Sequence, residues 1–181
     1  MHETMRKIVG AWLMAVPFAG AFAGQANGAL NVSLQVRSGC QVGGALNGAD
    51  AGSLDFGTHG PTWSEYLTTD ARASGGGQLR VTCSPDIGGF LVSVDSGRNG
   101  LQSTRYLVSR DTAGHVVARV PYNVYRDPAR SVPYVPQIPQ SFLVDDRRSA
   151  VALPLFGVVN GQTQAVPAGT YEDLLGITVD W

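Results

Sequence analysis

Both ends of the chain carry a regular alternation of apolar and polar residues. Near the C-terminus, the stretch AGTYEDLLGITVDW puts one apolar set on a single face of an extended strand: Tyr171, Leu175, Ile177, Val179 and Trp181. Near the other end, LNVSLQV does the same with Leu30, Val32, Leu34 and Val36. Each alternation predicts a strand that buries one of its two faces.

Between these ends, short apolar runs are separated by turn residues. The runs are SGCQVGG, SLDFG, QLRVTC, FLVSVD, RYLVSR, HVVARVPYNVYRD, SFLV and VALPLFGVV. Apolar residues do not recur at helical spacing over three turns, and the segment TWSEYLTTDARASGG predicts at most a helical turn or two. The pattern predicts an all-β fold, an antiparallel sandwich or barrel, with neither an internal repeat nor a second domain.

The size and charge of the chain limit its function classes. Its 181 residues suffice for about one domain, and charged residues make up only 15 % of them. The formal net charge of −1 provides no basic surface for a nucleic acid or an anionic membrane. We therefore expect no nucleic-acid partner.

The first residues have the parts of a secretory signal peptide. Arg6 and Lys7 form a basic region, an apolar run follows, and AFA at Ala21–Ala23 is a small-residue cleavage motif. ANGA, at residues 26–29, is a second candidate. The apolar run is too short for a membrane anchor. We expect cleavage between about residues 23 and 29, so that 1–28 is the signal peptide and 29–181 the exported domain.

The chain contains only two cysteines, Cys40 and Cys83. In an exported protein, two cysteines most simply form one disulfide, which would stabilise the fold by about 3–4 kcal/mol. Two free thiols or half of a metal site are the alternatives. They are disfavoured because no histidine lies at ligand spacing from either cysteine.

The motifs of common enzymes are missing from the sequence. It has no G-x-S-x-G nucleophile elbow, P-loop, H-E-x-x-H zinc motif or D-x-D-x-D-G calcium loop. His59 and His115 lie beside turn sequences, without a nucleophile motif to serve. The sequence therefore predicts no enzyme, no cofactor and no bound metal. Trp63 and Tyr66 in WSEY offer an aromatic platform for a sugar, although a loop anchor explains them better.

An ordered set of motifs gives the chain a family resemblance. SGCQVGG, LDFG, LRVTC, PYNVYRDPAR, PLFGVV and AGTYEDLLGITVDW occur in the order and spacing of the spore coat protein U domain family. The chain looks most like the pilin subunits of archaic (Csu-type) chaperone–usher pili, and among these most like the major shaft pilin. The resemblance extends from about Leu30 to Trp181.

The resemblance implies an incomplete immunoglobulin-like antiparallel β-sandwich that lacks its final strand. In such families a periplasmic chaperone fills the open groove first. At the outer-membrane usher, the N-terminal extension of the next subunit then replaces it. Carried over to this chain, the donor strand is the segment of about residues 25–36, with Leu30, Val32, Leu34 and Val36 as plugs. The groove wall is the C-terminal set: Tyr171, Leu175, Ile177, Val179 and Trp181.

This interpretation makes the protein a structural subunit of a pilus that acts in adhesion and biofilm formation. Its partners would be the chaperone, the usher and identical or related pilin subunits, and it would travel through the periplasm to the cell surface. Three alternatives stay open. LNVSLQV could be the domain's own first strand, the protein could be a secreted coat or matrix protein, or it could be a carbohydrate-binding sandwich.

Overall fold

The computed structural model describes residues 30–43, 50–146 and 150–181. The chain divides into two units, Met1–Gln35 and Val36–Trp181. Of the first unit, residues 30–35 are described, and they belong to no strand. The predicted signal peptide, residues 1–28, lies outside the described residues. In the described part of the chain, no helix is long and apolar enough to cross a membrane.

The second unit is built from short strands. They are β1 (Cys40–Val42), β2 (Gly52–Ser53), β3 (Leu67–Asp70), β4 (Arg72–Ala73), β5 (Arg80–Cys83), β6 (Gly89–Val94), β7 (Arg105–Arg110), β8 (Val116–Tyr125), β9 (Gln140–Leu143), β10 (Val151–Ala152), β11 (Phe156–Val159) and β12 (Ile177–Asp180). Since every paired strand is antiparallel and no described residue is helical, the all-β antiparallel class predicted from the sequence is confirmed.

The strands form four sheets around one core. The sheet orders are β1-β5-β10, β3-β11-β8-β7, β12-β6-β9 and β2-β4. Alternation along each strand directs one set of side chains inward, as in β6, where Phe90, Val92 and Val94 are buried and Leu91 is exposed. The buried cluster takes residues from several sheets, including Val81, Val124 and Val159. Burial of this shared apolar cluster is the main source of the fold's stability.

Three segments differ from the sequence predictions. The segment TWSEYLTTDARASGG contains β3 and β4 instead of helical turns, because Leu67 and Thr69 turn inward while β11 supplies a pairing partner. VALPLFGVV divides into β10 and β11 around Pro154, which has no backbone N–H to donate to a ladder. LNVSLQV belongs to no strand in the structure, since alternation becomes a strand only beside a partner strand.

Candidate functional site

The C-terminal strand β12 is paired along one edge only. It is antiparallel to β6, with Ile177 opposite Val94 and Val179 opposite Val92. In the order β12-β6-β9 it is the terminal strand, so among the described residues its second edge has no strand beside it. Backbone N–H and C=O groups along such an edge are available for pairing with another chain.

The inward row of this segment is only partly covered. Tyr171, Leu175, Ile177 and Val179 are all half-buried and pack against the core. Across the ladder, Val92 and Val94 are completely buried. The row that borders the unpaired edge therefore lacks a neighbour that would complete its burial. We call the unpaired edge of β12, together with its half-buried apolar row, the open edge.

Trp181 does not follow the prediction that it ends the buried row. Its side chain is 62 % exposed. The β12–β6 pairing ends with Asp180 opposite Leu91, although β6 itself continues to Gly89, so Trp181 lies just past the paired part of β12. The edge of its indole ring lies 3.5 Å from the position of a Cβ built on Gly39, which places the end of β12 beside the start of β1.

The beginning of β1 is fixed to β5 by the Cys40–Cys83 disulfide. These two residues are also directly opposite each other in the β1–β5 ladder. Just before them, the Gly39 N–H donates to the Ser84 hydroxyl at 3.0 Å, and the Ser38 hydroxyl donates to the Asp86 carboxylate at 2.5 Å. The body of the domain is thus tied down from Ser38 onward.

The N-terminal alternation lies immediately before this tied point. Leu30, Val32, Leu34 and Val36 are between 80 % and 88 % exposed. Exposing four large aliphatic side chains to water is unfavourable in free energy. Their exposure marks a segment suited to docking against an apolar surface.

A polar cluster holds the chain that leads into β12. Asp173 accepts a hydrogen bond from the Tyr122 hydroxyl at 2.8 Å through one carboxylate oxygen. Its other oxygen accepts the backbone N–H of Asn99 at 2.9 Å. Burial and the hydrogen bond to Asp173 both raise the pKa of Tyr122, so its hydroxyl stays protonated and keeps donating.

The same cluster contains a nearly buried cation. The Arg105 side chain is 3 % exposed and donates to the backbone oxygens of Asp95 at 2.8 Å and Val94 at 3.2 Å. Burial lowers the pKa of Arg105, and the nearby Tyr122, Asp95 and Asp173 act against that shift. A guanidinium remains charged under such conditions, so it supplies a positive charge beside the half-buried carboxylates of Asp95 and Asp173.

Sequence reasoning missed most of this cluster. Asp173, Asp95 and Tyr122 each lie in a stretch that predicts a strand, but the sequence pattern assigns none of them a role. The one signal available for Arg105 was a charged residue at the start of the apolar run RYLVSR. Hydrogen bonds between residues so distant in sequence cannot be read from a local pattern.

The other residues that the sequence offered as site candidates do not form a common site. The Trp63 indole N–H donates to the backbone oxygen of Asn160 at 3.0 Å, which makes Trp63 a loop anchor. Tyr66 is 58 % exposed, but the guanidinium of Arg130 lies 4.4 Å from its ring centre. His115 is exposed and contacts Asp111. Within residues 30–43, 50–146 and 150–181, no cluster of three or more His, Cys, Asp or Glu could hold a metal ion.

Comparisons with known proteins bear on these observations. The model of the Spore Coat Protein U domain family matches residues 26–178. No curated protein matches the chain. Among solved structures, the chain is similar to one from work described as "Chaperone-tip adhesin complex is vital for synergistic activation of CFA/I fimbriae biogenesis". The identity is 12 % and the TM-score 0.45, and the match covers 78 % of this chain and 41 % of that one. The chain thus corresponds to less than half of that protein's length.

Proposed function

Because the chain belongs to the Spore Coat Protein U domain family, whose members are structural proteins and not enzymes, we propose that it is a structural subunit of an archaic chaperone–usher pilus. It polymerises by donor-strand complementation, in which one subunit supplies a strand that another lacks. The single observation that carries the proposal is the open edge of β12 beside a half-buried apolar row. An apolar strand edge that remained uncovered would aggregate without specificity.

The incoming strand is the N-terminal segment of a second subunit, about residues 25–36. Its plugs are Leu30, Val32, Leu34 and Val36, which are exposed in the structure. Burying four such side chains is worth roughly 6–12 kcal/mol before the loss of chain entropy is subtracted. Ladder hydrogen bonds to β12 add to this gain, in the manner of β-strand addition.

The arrangement produces a fibre instead of a closed dimer. The segment that plugs and the edge that receives are different surfaces of one subunit, so the contact is heterologous and repeats without closing. A periplasmic chaperone covers the open edge before assembly, and an outer-membrane usher orders the exchange. The protein is exported through the inner membrane, and its signal peptide is removed by cleavage between about residues 23 and 29. It then reaches the cell surface in a pilus of identical or related subunits, which acts in adhesion and biofilm formation.

The test is the assembly state of the exported chain, prepared alone and with a chaperone of the same assembly system. With the chaperone we expect a soluble complex, and after release from it a ladder of heat-resistant oligomers without reductant and fibres by electron microscopy. A stable, soluble monomer in the absence of any partner would contradict the proposal and favour a carbohydrate-binding sandwich. Normal assembly on the surface of cells that lack the usher would favour a secreted coat or matrix protein.

A further inference from the structure

We propose that Asp173 is the positioning residue of the open edge: it anchors the chain just before β12 and so keeps the edge ready to receive a strand. The anchoring is a property of this chain alone, whereas its use in strand capture rests on the proposed function. Nothing in the sequence pattern of β12 itself requires such an anchor. Its need comes from the topology, since a terminal strand has a neighbour on one side only.

The carboxylate reaches two parts of the fold that are remote from it in sequence. Its bond to the Tyr122 hydroxyl joins it to β8, and its bond to the Asn99 N–H joins it to the connection between β6 and β7. Only Leu174, Leu175 and Gly176 separate Asp173 from β12. A displacement at Asp173 therefore moves the first pair of the β12–β6 ladder, Ile177 opposite Val94.

Backbone bonds continue this attachment along the segment. Glu172 exchanges two hydrogen bonds with Val108 on β7, at 2.9 and 3.1 Å. The Leu174 oxygen accepts the Arg98 N–H at 2.9 Å. Gly176 forms two hydrogen bonds with Asp95. The Gly176 N–H donates to the Asp95 carboxylate at 2.9 Å, and the Asp95 N–H donates to the Gly176 oxygen at 3.0 Å. These bonds all run to β6, β7 and their connection.

The fold is shaped around the Asp173 carboxylate. Gly97 has φ 77°, a conformation that favours glycine, and a Cβ at that position would overlap the Asp173 carboxylate. The close approach brings the turn after β6 against the anchor. The Arg105 guanidinium lies close enough to attract the Asp173 carboxylate electrostatically, which favours keeping the carboxylate in this position.

Preorganisation is the functional consequence. A strand edge that frayed when unpaired would have to be reordered each time a strand entered, and that entropy would be subtracted from binding. With Asp173 in place, the half-buried row of the open edge is already aligned. Loss of the anchor should therefore weaken strand capture more than it weakens the domain as a whole.

Two matched tyrosine variants separate these effects. Tyr122→Phe and Tyr134→Phe each remove one hydroxyl from a buried ring, and each hydroxyl donates one hydrogen bond. The acceptor is Asp173 for Tyr122 and the Pro154 backbone oxygen for Tyr134. Both variants keep the ring in the core, so both should fold. Only the first removes a hydrogen bond from Asp173 and so weakens the anchor.

Hydrogen–deuterium exchange of the exported chain is the first measurement, read on the fragment that covers residues 171–180. We expect Tyr122→Phe to speed exchange there about five-fold, the effect of losing one buried hydrogen bond, and Tyr134→Phe to leave it within about two-fold of the parent. Equal acceleration in both variants, or none in Tyr122→Phe, would overturn Asp173 as the anchor.

The second measurement is the dissociation of a labelled synthetic peptide of residues 25–36 from each variant. We expect release from Tyr122→Phe about five-fold faster than from Tyr134→Phe. If exchange differs between the variants but release does not, the role in strand capture is overturned. If the peptide binds neither variant nor the parent while exchange still differs, the anchor stands and the proposed strand addition fails.

Discussion

The indole ring of Trp181 lies against Gly39, with 3.5 Å between the ring and the Cβ position of that glycine. The last residue of the chain thus contacts the residue that precedes the first strand and its disulfide. This contact brings the end of the open edge and the start of the domain to one place.

Removing the last three residues, so that the chain ends at Thr178, should abolish capture by the chaperone. A chaperone strand that covers the open edge would pair with β12. The truncation removes Val179 and Asp180 from that strand and so shortens the edge available for pairing. Co-purification of tagged chaperone with the exported chain measures the effect.

The matched control for the truncation is Trp181→Ala, which keeps the whole of β12 and removes only the exposed ring. It should retain most of the complex. If the chain ending at Thr178 binds the chaperone as well as the parent does, the C-terminus is not part of the recognised surface.

Charged substitutions in the N-terminal alternation should stop fibre growth. Val32→Asp and Leu34→Asp each place a carboxylate where a plug enters an apolar groove, and an unpaired buried charge is strongly unfavourable. The variants should still fold and bind the chaperone, because the open edge is unchanged. Heat-resistant oligomers and fibres by electron microscopy are the measurements.

Asn31→Asp is the control for these variants, because its side chain lies on the opposite face of the same strand. It should assemble almost normally. Equal assembly by all three variants would mean that residues 25–36 do not form the donor strand. If Val32→Asp and Leu34→Asp fail to fold at all, LNVSLQV is the domain's own first strand.

Breaking the disulfide should lower the free energy of unfolding by about 2–5 kcal/mol. Cys83→Ser and Cys40→Ser should have the same effect as the double substitution, because either one removes the one disulfide that links β1 to β5. Denaturant unfolding of the three variants tests this equality. Intact mass of the parent should show two hydrogens missing, and labelling of both thiols without reductant would contradict the bond.

Alkaline pH should destabilise the domain through its buried tyrosines. Burial raises the pKa of Tyr134 from 10.0 to about 12, and the Tyr134 ring is 1 % exposed. A group whose pKa is higher in the folded state contributes stability that is complete below pH 10 and is lost as pH rises towards 12. The unfolding free energy should therefore fall above pH 10, by about 1.4 kcal/mol per pH unit for each such tyrosine.

Tyr134→Phe should reduce this slope without removing it, because the pKa of Tyr122 is also raised. Denaturant unfolding between pH 8 and pH 12 provides the measurement. An identical slope in the parent and in Tyr134→Phe would show that Tyr134 does not titrate differently on unfolding.

Local patterns predicted the strands that have both a clear alternation and distinct ends. RYLVSR matches β7 residue for residue, and FLVSVD overlaps β6. LTTD at Leu67–Asp70 escaped prediction because two threonines weaken its apolar signal, and only pairing with β11 makes it a strand. The prediction for Trp181 was wrong for a related reason, since its burial depends on where the pairing of β12 with β6 ends, and that is one residue earlier.

The sequence by itself determined the all-β class, the two cysteines available for a bond and the apolar faces at both ends, because these follow from residue type and a period of two. The tertiary structure decided which alternating segment pairs within the domain and which does not. It also decided that Asp173 meets Tyr122 and that Trp181 meets Gly39. Such contacts join residues that are distant in the chain, and no local pattern encodes them, because they exist only after the sheets have closed around a common core.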